Sequence, residues 1–475
     1  MRRTVLSRAL VCAIAVASCT APSAADDGGT IEYFDGGSLR SDVRLSLGFL
    51  YGAGARPDGL GAPVSTVRSG IASTSGNPSG LSFIESSGLL IDALPPLGAS
   101  VSDIANLESR ARSMLDDALE DVAAVNLRPT YPTLEAFAGQ QAGFISGAVA
   151  LRFGQVVAGA SIEEPMSLEL SLVENGIEAF AGGVKDDGDD DVDIEMRGFA
   201  DAACDLVFRV DRTTAAAGMK VASNVALGLS LSRYHARAAV DGMLRGDGVV
   251  DYGGQEYAFN DPSDLWENAL GGSVAGSFGG DAYGWSVGAS YRGLDWMTLD
   301  VLYVRVPRLT LAGRLTTIES MPEAATDGGL DLSEVSASQP TLTETTITVE
   351  DDPVGLLLPS YAGAAASFRL GPALTTLEYR LYSGTLGYEY QGHSEGVELG
   401  SGVGVEVGVG ALWLGGGVIR GTLVGESASG DGSDDVWIPL ANLGMGFGVG
   451  EHTSIDLLIL ALPLQVAKVS FAYEF

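Results

Sequence analysis

Cysteine, histidine and positive charge are all scarce in this chain of 475 residues. Three cysteines occur, and only Cys204 lies beyond the first 25 residues, so the body of the chain cannot form an intramolecular disulfide. The three histidines lack a second histidine or a cysteine at metal-ligand spacing, which argues against a transition-metal site. Acidic residues number 61 against 27 basic ones, a formal net charge of −34, and such a surface repels nucleic acid.

Long apolar runs are also missing, although the chain is apolar as a whole. Hydrophobic residues make up 46% of the sequence, and its mean hydropathy is +0.21. Beyond the first 25 residues no apolar run reaches the length of a membrane-spanning helix. The remaining way to hold such a chain in a membrane is a closed β-barrel, in which every backbone polar group is paired with a neighbouring strand.

The N-terminal residues have the order of a secretory signal peptide. Three arginines within the first eight residues precede a short apolar core, and Ser23-Ala24-Ala25 offers small residues for cleavage. We therefore assign residues 1–25 to a signal peptide. Val16-Ala17-Ser18-Cys19 offers an alternative, cleavage before Cys19, which would then be lipidated.

Alternation of large apolar residues with small or polar ones recurs after the signal peptide. Large residues on one face and glycine, serine or charge on the other are typical of strands between lipid and a barrel lumen. A soluble β-sandwich would carry more lysine, threonine and glutamate outside. We predict an all-β fold, a transmembrane antiparallel β-barrel of about 14 strands (roughly 12 to 16), over residues 123–475. The clearest segments in this range are 225–232, 403–409 and 442–449, and an early strand-like segment at 43–49 precedes it within residues 26–99.

The chain ends in an alternating segment with aromatic residues on one face. Phe471, Tyr473 and Phe475 alternate with small or polar residues, and Phe475 is the last residue. This ending resembles the signal that the outer-membrane barrel assembly machinery recognises. The expected location is therefore the bacterial outer membrane, with membrane lipid and that machinery as partners.

Residues 100–122 break the alternation. Apolar residues recur there at helical spacing, among them Ile104, Leu107 and Leu115, and Ser100 can cap the first turn. The spacing predicts an amphipathic helix in an excursion from the barrel or inside it.

The region before this helix, residues 26–99, contains a motif that resembles the N-terminal signature of FadL-type outer-membrane proteins. The motif is Gly59-Leu60-Gly61, Gly70-Ile71-Ala72 and Gly76-Asn77-Pro78-Ser79-Gly80-Leu81, with Ser79 where alanine is usual. The following segment, 94–103, is similar to TraF-like conjugal-transfer proteins of the same broad group. The resemblance implies a monomeric barrel of about fourteen strands whose N-terminal hatch, or plug, controls the passage of hydrophobic molecules.

Five residues carry over from the motif as hatch residues: Gly76, Asn77, Pro78, Gly80 and Leu81. A physical reason exists for the central pair. Proline fixes its own φ and forces the preceding residue out of the helical region, so Asn77-Pro78 redirects the chain. An ordinary surface turn is the alternative interpretation.

Three charges lie on the small-residue face of predicted strands, namely Arg44, Glu406 and Lys468. Their direction predicts side chains in the lumen, where a charge needs water or a partner. They would select solutes or form an internal network that stiffens the barrel.

Neither a catalytic group nor a cofactor site is evident. His452-Thr453-Ser454 lacks the third group that a serine hydrolase needs. A weak calcium candidate is the acidic run that contains Asp187, Asp189, Asp191 and Asp193, for which a solvated loop is the default interpretation.

The sequence therefore leaves three functional hypotheses. The first is passive transport of small hydrophobic compounds through a plugged barrel, without covalent chemistry. The second is a structural barrel that anchors a secretion or conjugation apparatus through the helix at 100–122. The third is a general hydrophilic porin.

Overall fold

The computed structural model describes most of the chain beyond residue 29, and all structural statements refer to those residues. The predicted helix at 100–122 apart from Ser100, the signal peptide with Cys19, the Gly59-Leu60-Gly61 part of the motif, and Asp187 and Asp189 lie outside them. The described residues are 30–35, 38–46, 64–67, 70–95, 97–100, 133–140, 143–186, 191–252, 255–258, 270–322, 340–348, 354–390, 393–424, 435–462 and 466–475.

The described residues form a single sheet of 23 strands and two short 3-10 turns, Gly70–Thr74 and Pro78–Phe83. No helix among them is long and apolar enough to cross a membrane. The strands are β1 (Thr30–Asp35), β2 (Ser38–Ser46), β3 (Gly88–Leu94), β4 (Leu97–Ser100), β5 (Thr133–Gln140), β6 (Gly143–Phe153), β7 (Val156–Asp186), β8 (Asp191–Ala222), β9 (Val225–Tyr252), β10 (Gln255–Ala258), β11 (Leu270–Leu294), β12 (Met297–Arg305), β13 (Leu309–Pro322), β14 (Pro340–Thr348), β15 (Val354–Leu357), β16 (Ser360–Leu370), β17 (Ala373–Ser383), β18 (Thr385–Tyr390), β19 (His393–Val409), β20 (Leu412–Val424), β21 (Asp435–Val449), β22 (Thr453–Leu462) and β23 (Val466–Glu474).

The sheet closes on itself as an antiparallel barrel of 14 wall strands, some of them made of two strands in succession. Closure joins the last strand, β23, to β3, with Phe471 opposite Ile91. The prediction of an all-β barrel of about 14 strands is confirmed. The wall strands are β3–β4, β5–β6, β7, β8, β9, β11, β12–β13, β15–β16, β17–β18, β19, β20, β21, β22 and β23.

The two faces of the wall differ as the alternation predicts. On the outer face of β9, Leu229 and Leu231 are 54% and 63% exposed, whereas Ser230 and Ser232 between and beside them are buried in the lumen. The same contrast recurs around the barrel, for example at Val403 against Glu406. A continuous apolar outer face is unfavourable in water and favourable in lipid. The outer face of this barrel is therefore suited to contact with lipid.

The wall begins earlier in the chain than we expected from the sequence. Strand β3 was expected to belong to the plug region, 26–99, and the wall to residues 123–475, but β3 pairs with β23 on one side and β6 on the other. The reason lies in its composition. Leu89 and Ile91 face outward while Leu90 and Leu94 face inward, so apolar residues on both faces conceal the alternation. Ser100, the expected helix cap, ends strand β4.

The strands end in tight turns at one end of the barrel and extend far beyond the wall's minimum height at the other. Glycines with positive φ, such as Gly154 and Gly410, make tight turns at one end. At the other end β8 continues to 32 residues, a length of roughly 105 Å at about 3.3 Å per residue. A hydrocarbon core is roughly 30 Å thick, so even a tilted strand of this length extends well beyond the bilayer.

Candidate functional site

Residues 64–67 and 70–87 lie inside the barrel and form its plug. Val64, Asn77 and Leu81 are fully buried, and Ile71 packs with Leu81 against the wall residues Leu90, Ala148, Ala150, Val157 and Ala216. Two 3-10 turns, rather than a helix, carry the chain through this space. The described part of the plug region is therefore a compact insert in the lumen.

Asn77 organises the turn that the motif predicts. Its side-chain oxygen accepts hydrogen bonds from the backbone N–H of Ser79 at 3.2 Å and from the Ser79 hydroxyl at 2.7 Å. Its amide nitrogen donates to the carbonyl of Val64 at 2.8 Å and to that of Val301, in strand β12, at 3.3 Å. Pro78 occupies the first position of the second 3-10 turn, where its fixed φ is compatible with the turn. Asn77 thus ties two plug segments to the wall.

A row of three glycines in the wall faces this turn. Gly218, Gly228 and Gly288 lie directly opposite one another on the adjacent strands β8, β9 and β11. A Cβ added at Gly218 would lie 2.6 Å from the carbonyl oxygen of Pro78, and one at Gly228 or Gly288 would collide with Pro78 or Asn77. The row is the surface against which the plug turn packs, and it has no room for a side chain.

A second contact holds the first plug segment. Thr66 donates to Asp300 through its backbone N–H at 3.1 Å and its hydroxyl at 2.8 Å. The Thr66 hydroxyl is also 3.0 Å from the hydroxyl of Ser290, and Arg292 donates to the Thr66 carbonyl at 2.8 Å. The Arg292 guanidinium also lies 3.4 Å from the ring centroid of Phe83, at the far end of the plug.

Two further arginines hold the plug by its carbonyls. Arg152 donates to Ile84 at 2.7 Å and to Glu85 at 3.0 Å, where the plug passes into strand β3. Arg212 donates to Ser75 at 3.3 Å while its guanidinium pairs with Glu163 at 2.5 Å. The plug is therefore fixed to the wall by charge-assisted hydrogen bonds, which are stronger than bonds between neutral groups.

Two apolar clusters lie in the lumen beyond the plug, towards the end with long strands, and the buried Arg380–Glu378 ion pair lies beside the second of them. One cluster covers the inner face of β8, β9, β13 and β15, and a second lies on β3, β6 and β19–β22. Both lie further from the tight turns than the glycine row does, as Tyr234 and Gly228 show on β9. The buried members are Val210, Tyr234, Ala236, Leu309, Leu311 and Leu356 in the first cluster, and Leu94, Ile145, Leu399, Ile419, Leu440, Leu458 and Leu460 in the second.

The predicted lumen charges have different surroundings. Lys468 is fully buried and forms an ion pair of 3.2 Å with Asp92, a residue that the sequence analysis missed. Glu406 is also buried, on the inner face of β19, whereas Arg44 is half-exposed in β2 and pairs with Asp42 at 3.2 Å.

The remaining predicted residues lie at the two ends of the wall. Phe471, Tyr473 and Phe475 point outward, and the Phe475 N–H donates to Ser87 at 2.8 Å. Asp191 and Asp193 lie in β8, and no group of three or more potential metal ligands occurs in the part of the chain that the structure describes.

The sequence could indicate the turn residues but not their contacts in the wall. Thr66 and Asp300 are 234 positions apart, and nothing local in the sequence relates them. One signal was available: Asp300 is a lone carboxylate between Leu299 and Val301, on the inner face of an alternating strand.

No protein-family profile and no curated protein matches this chain. Solved structures of transporters and channels are similar to it in outline. The toluene transporter TbuX of Ralstonia pickettii is 13% identical, with 90% of this chain and 97% of that one covered and a TM-score of 0.41. A FadL homologue of Pseudomonas aeruginosa is 15% identical, with coverages of 91% and 98% and a TM-score of 0.41. The monoaromatic hydrocarbon channel CymD is 11% identical, with coverages of 90% and 99% and a TM-score of 0.43. None of these three is a conjugal-transfer protein, so the TraF-like part of the sequence resemblance has no support among them.

Proposed function

We propose that the protein is a passive channel of the bacterial outer membrane for small hydrophobic compounds, and that its N-terminal plug controls their passage. The observation that supports this most directly is the arrangement of apolar clusters and plug inside the barrel. Apolar clusters lie in the lumen on the side of the long strands, and the plug packs against the wall nearer the tight turns.

This arrangement matters because a compound that is poorly soluble in water is more stable in contact with apolar side chains than in water. Burial of apolar surface contributes roughly 25 cal/mol per Å². The plug contacts use hydrogen bonds between strands and turns, and such contacts can break and re-form without covalent chemistry. A hydrophilic porin would instead need polar side chains along the whole lumen.

A pair of leucines allows a direct test. Leu309 in β13 and Leu356 in β15 lie opposite each other in the first apolar cluster. The double variant L309N/L356N should bind a fluorescent apolar probe, N-phenyl-1-naphthylamine, at least about tenfold more weakly than the wild type, because two apolar contacts are lost.

The matched control is Thr310→Asn. Thr310 lies between the inward-facing Leu309 and Leu311 on β13, but its own side chain faces outward and is exposed. It should leave probe binding unchanged. Equal binding by the wild type and L309N/L356N would contradict the proposal, provided that both barrels resist unfolding in detergent to the same extent.

A further inference from the structure

A cluster of arginines stands on the outer face of the wall in a chain that is otherwise strongly acidic, with a net charge of −34. Its members are Arg209 in β8, Arg233 and Arg237 in β9, and Arg305 in β12. All four lie on neighbouring wall strands, with only β11 between β9 and β12. We call this set the arginine cluster.

The alternation places these side chains outside the barrel. In β9, Tyr234 and Ala236 are buried in the lumen, so Arg233 and Arg237 share the outer face with Leu231. In β12, Val304 is buried and Arg305 shares the outer face with Tyr303.

Two aromatic residues show where the arginine cluster lies relative to the apolar outer face of the barrel. Tyr283, which is 74% exposed, lies opposite Arg233, and the exposed Trp285 lies opposite Arg305. Tyrosine and tryptophan are enriched at membrane–water boundaries, where one part of the ring is apolar and the other is hydrated. The arginines therefore stand at the level of the lipid headgroups.

Within the cluster, Arg209 and Arg237 lie directly opposite each other on adjacent strands. Like charges in this position destabilise a sheet unless an anion separates them. Asp211 partly fills this role, since it accepts from Arg209 at 3.0 Å and from Arg237 at 3.3 Å. A second carboxylate, Glu164, contacts Arg209 at 2.6 Å.

The other acidic neighbour is Asp281, which is shared between Arg233 and His235, each at 3.0 Å. Arg305 forms no ion pair with any residue that the structure describes. Four arginines thus face three carboxylates, two of which are each shared between two basic side chains. The cluster has unused donors and a surplus of positive charge, and the guanidinium group suits phosphate because its N–H groups match two phosphate oxygens.

We propose that the arginine cluster binds the phosphate groups of a phosphorylated glycolipid in the outer leaflet of the membrane. Six residues along β11 separate the row of Trp285 from that of Gly279, about 20 Å at roughly 3.3 Å per residue. Three strand spacings give a width of about 14 Å. This area is large enough for a headgroup with more than one phosphate. The inference assumes the membrane location, not the transport function.

The test measures binding of bisphosphorylated lipid A to the detergent-folded barrel by native mass spectrometry, with EDTA present to remove bridging cations. The variant R209Q/R237Q/R305Q should bind the lipid at least about tenfold more weakly, because several charge-assisted hydrogen bonds are lost. The same lipid without its phosphates should bind the wild type no better than it binds the triple variant.

The matched control is Arg420→Gln, because Arg420 is an exposed outer-face arginine on β20 that stacks on Trp437 and pairs with Asp435 at 2.9 Å. It should bind lipid A like the wild type. If the triple variant does not fold, the single variant R305Q, which breaks no described ion pair, should still weaken binding.

Three results would overturn the proposal: unchanged binding by folded variants, equal binding of the dephosphorylated lipid, or an equal loss in R420Q. Displacement of lipid A by an equal concentration of inorganic phosphate would assign the cluster to free anions instead. Uptake of apolar compounds is measured separately, so failure here leaves the proposed transport function untouched.

Discussion

Contacts of single residues decide whether the plug can remain in the lumen. The glycine row shows this most clearly, because Gly228 leaves the space that Pro78 and Ser79 occupy. Glycine weakens a strand by roughly 0.5–1 kcal/mol relative to alanine, so its presence in the wall needs a reason such as this close approach.

We expect Gly228→Ala to destabilise the plugged barrel by about 1–3 kcal/mol, because the added methyl group collides with the backbone of the plug turn. Urea unfolding in detergent measures the loss, and conductance in a planar bilayer should rise above that of the wild type as the plug shifts. Gly448→Ala is the control, since a Cβ at Gly448 meets nothing within 4 Å. Equal stabilities for the two variants would refute a close packing of the turn on this row.

Thr66 gives a second prediction for a single residue. Thr66→Val keeps the size of the side chain but removes the hydroxyl that donates to Asp300 at 2.8 Å, at a cost of about 1.5–3 kcal/mol for a bond to a charged group. Hydrogen exchange of the backbone amides in 70–87 should become faster. Ser75→Ala is the matched control, because among the described residues its hydroxyl bonds only within the plug, to Ala72 at 3.1 Å. Exchange in T66V as slow as in the wild type would show that the Thr66 hydroxyl is not needed to hold the plug.

The residues of the motif could be predicted from sequence, and their partners could not. Asn77 and Pro78 form a turn for local reasons, so the dipeptide is informative by itself. Their wall contacts depend on strand register, which pairs Gly228 with Gly288 across 60 positions of sequence. No single residue of the sequence specifies that register.

Strands are the elements that the alternation predicts well, and β3 shows where it fails. Lipid-facing strands with a glycine- or serine-rich inner face, such as β9 and β19, are recognisable at once. Strand β3 carries leucine on both faces because its inner side packs on the plug and the apolar lumen. The strand that closes the barrel was therefore expected to lie in the plug.

The closing contact between β3 and β23 contains a buried ion pair, and this makes a prediction about those two strands. Lys468 lies 3.2 Å from Asp92, which also accepts from Ser470 at 2.5 Å and from Ser146. We expect Lys468→Met to destabilise the barrel by about 3–5 kcal/mol, because a buried carboxylate loses its counter-charge. Urea unfolding of the folded barrel measures this loss.

The double variant K468M/D92N serves as the control for that prediction. It removes both charges, so it should be more stable than K468M alone. A double variant that is as unstable as the sum of the two single variants would show that the pair makes no joint contribution to closure.

On the scale of the whole molecule, the protein is a tall barrel with two apolar clusters in the lumen towards the long strands and a plug nearer the tight turns. Composition predicted the barrel, since an apolar chain without long apolar runs has few other ways to span a membrane. The apolar lining could not be predicted, because inward leucines far apart in sequence become one surface only after closure. Arg44, expected in the lumen, is half-exposed beside Asp42.

The most direct test of the central claim is a flux measurement on the wild-type protein in proteoliposomes. Entry of radiolabelled naphthalene is compared with entry of a polar solute of similar size, together with ion conductance in a planar bilayer. We predict accelerated entry of the apolar compound over protein-free vesicles, little entry of the polar one and low conductance, because the lining is apolar and the plug is in place. Rapid entry of the polar solute with high, steady conductance would contradict the account and identify an open hydrophilic pore.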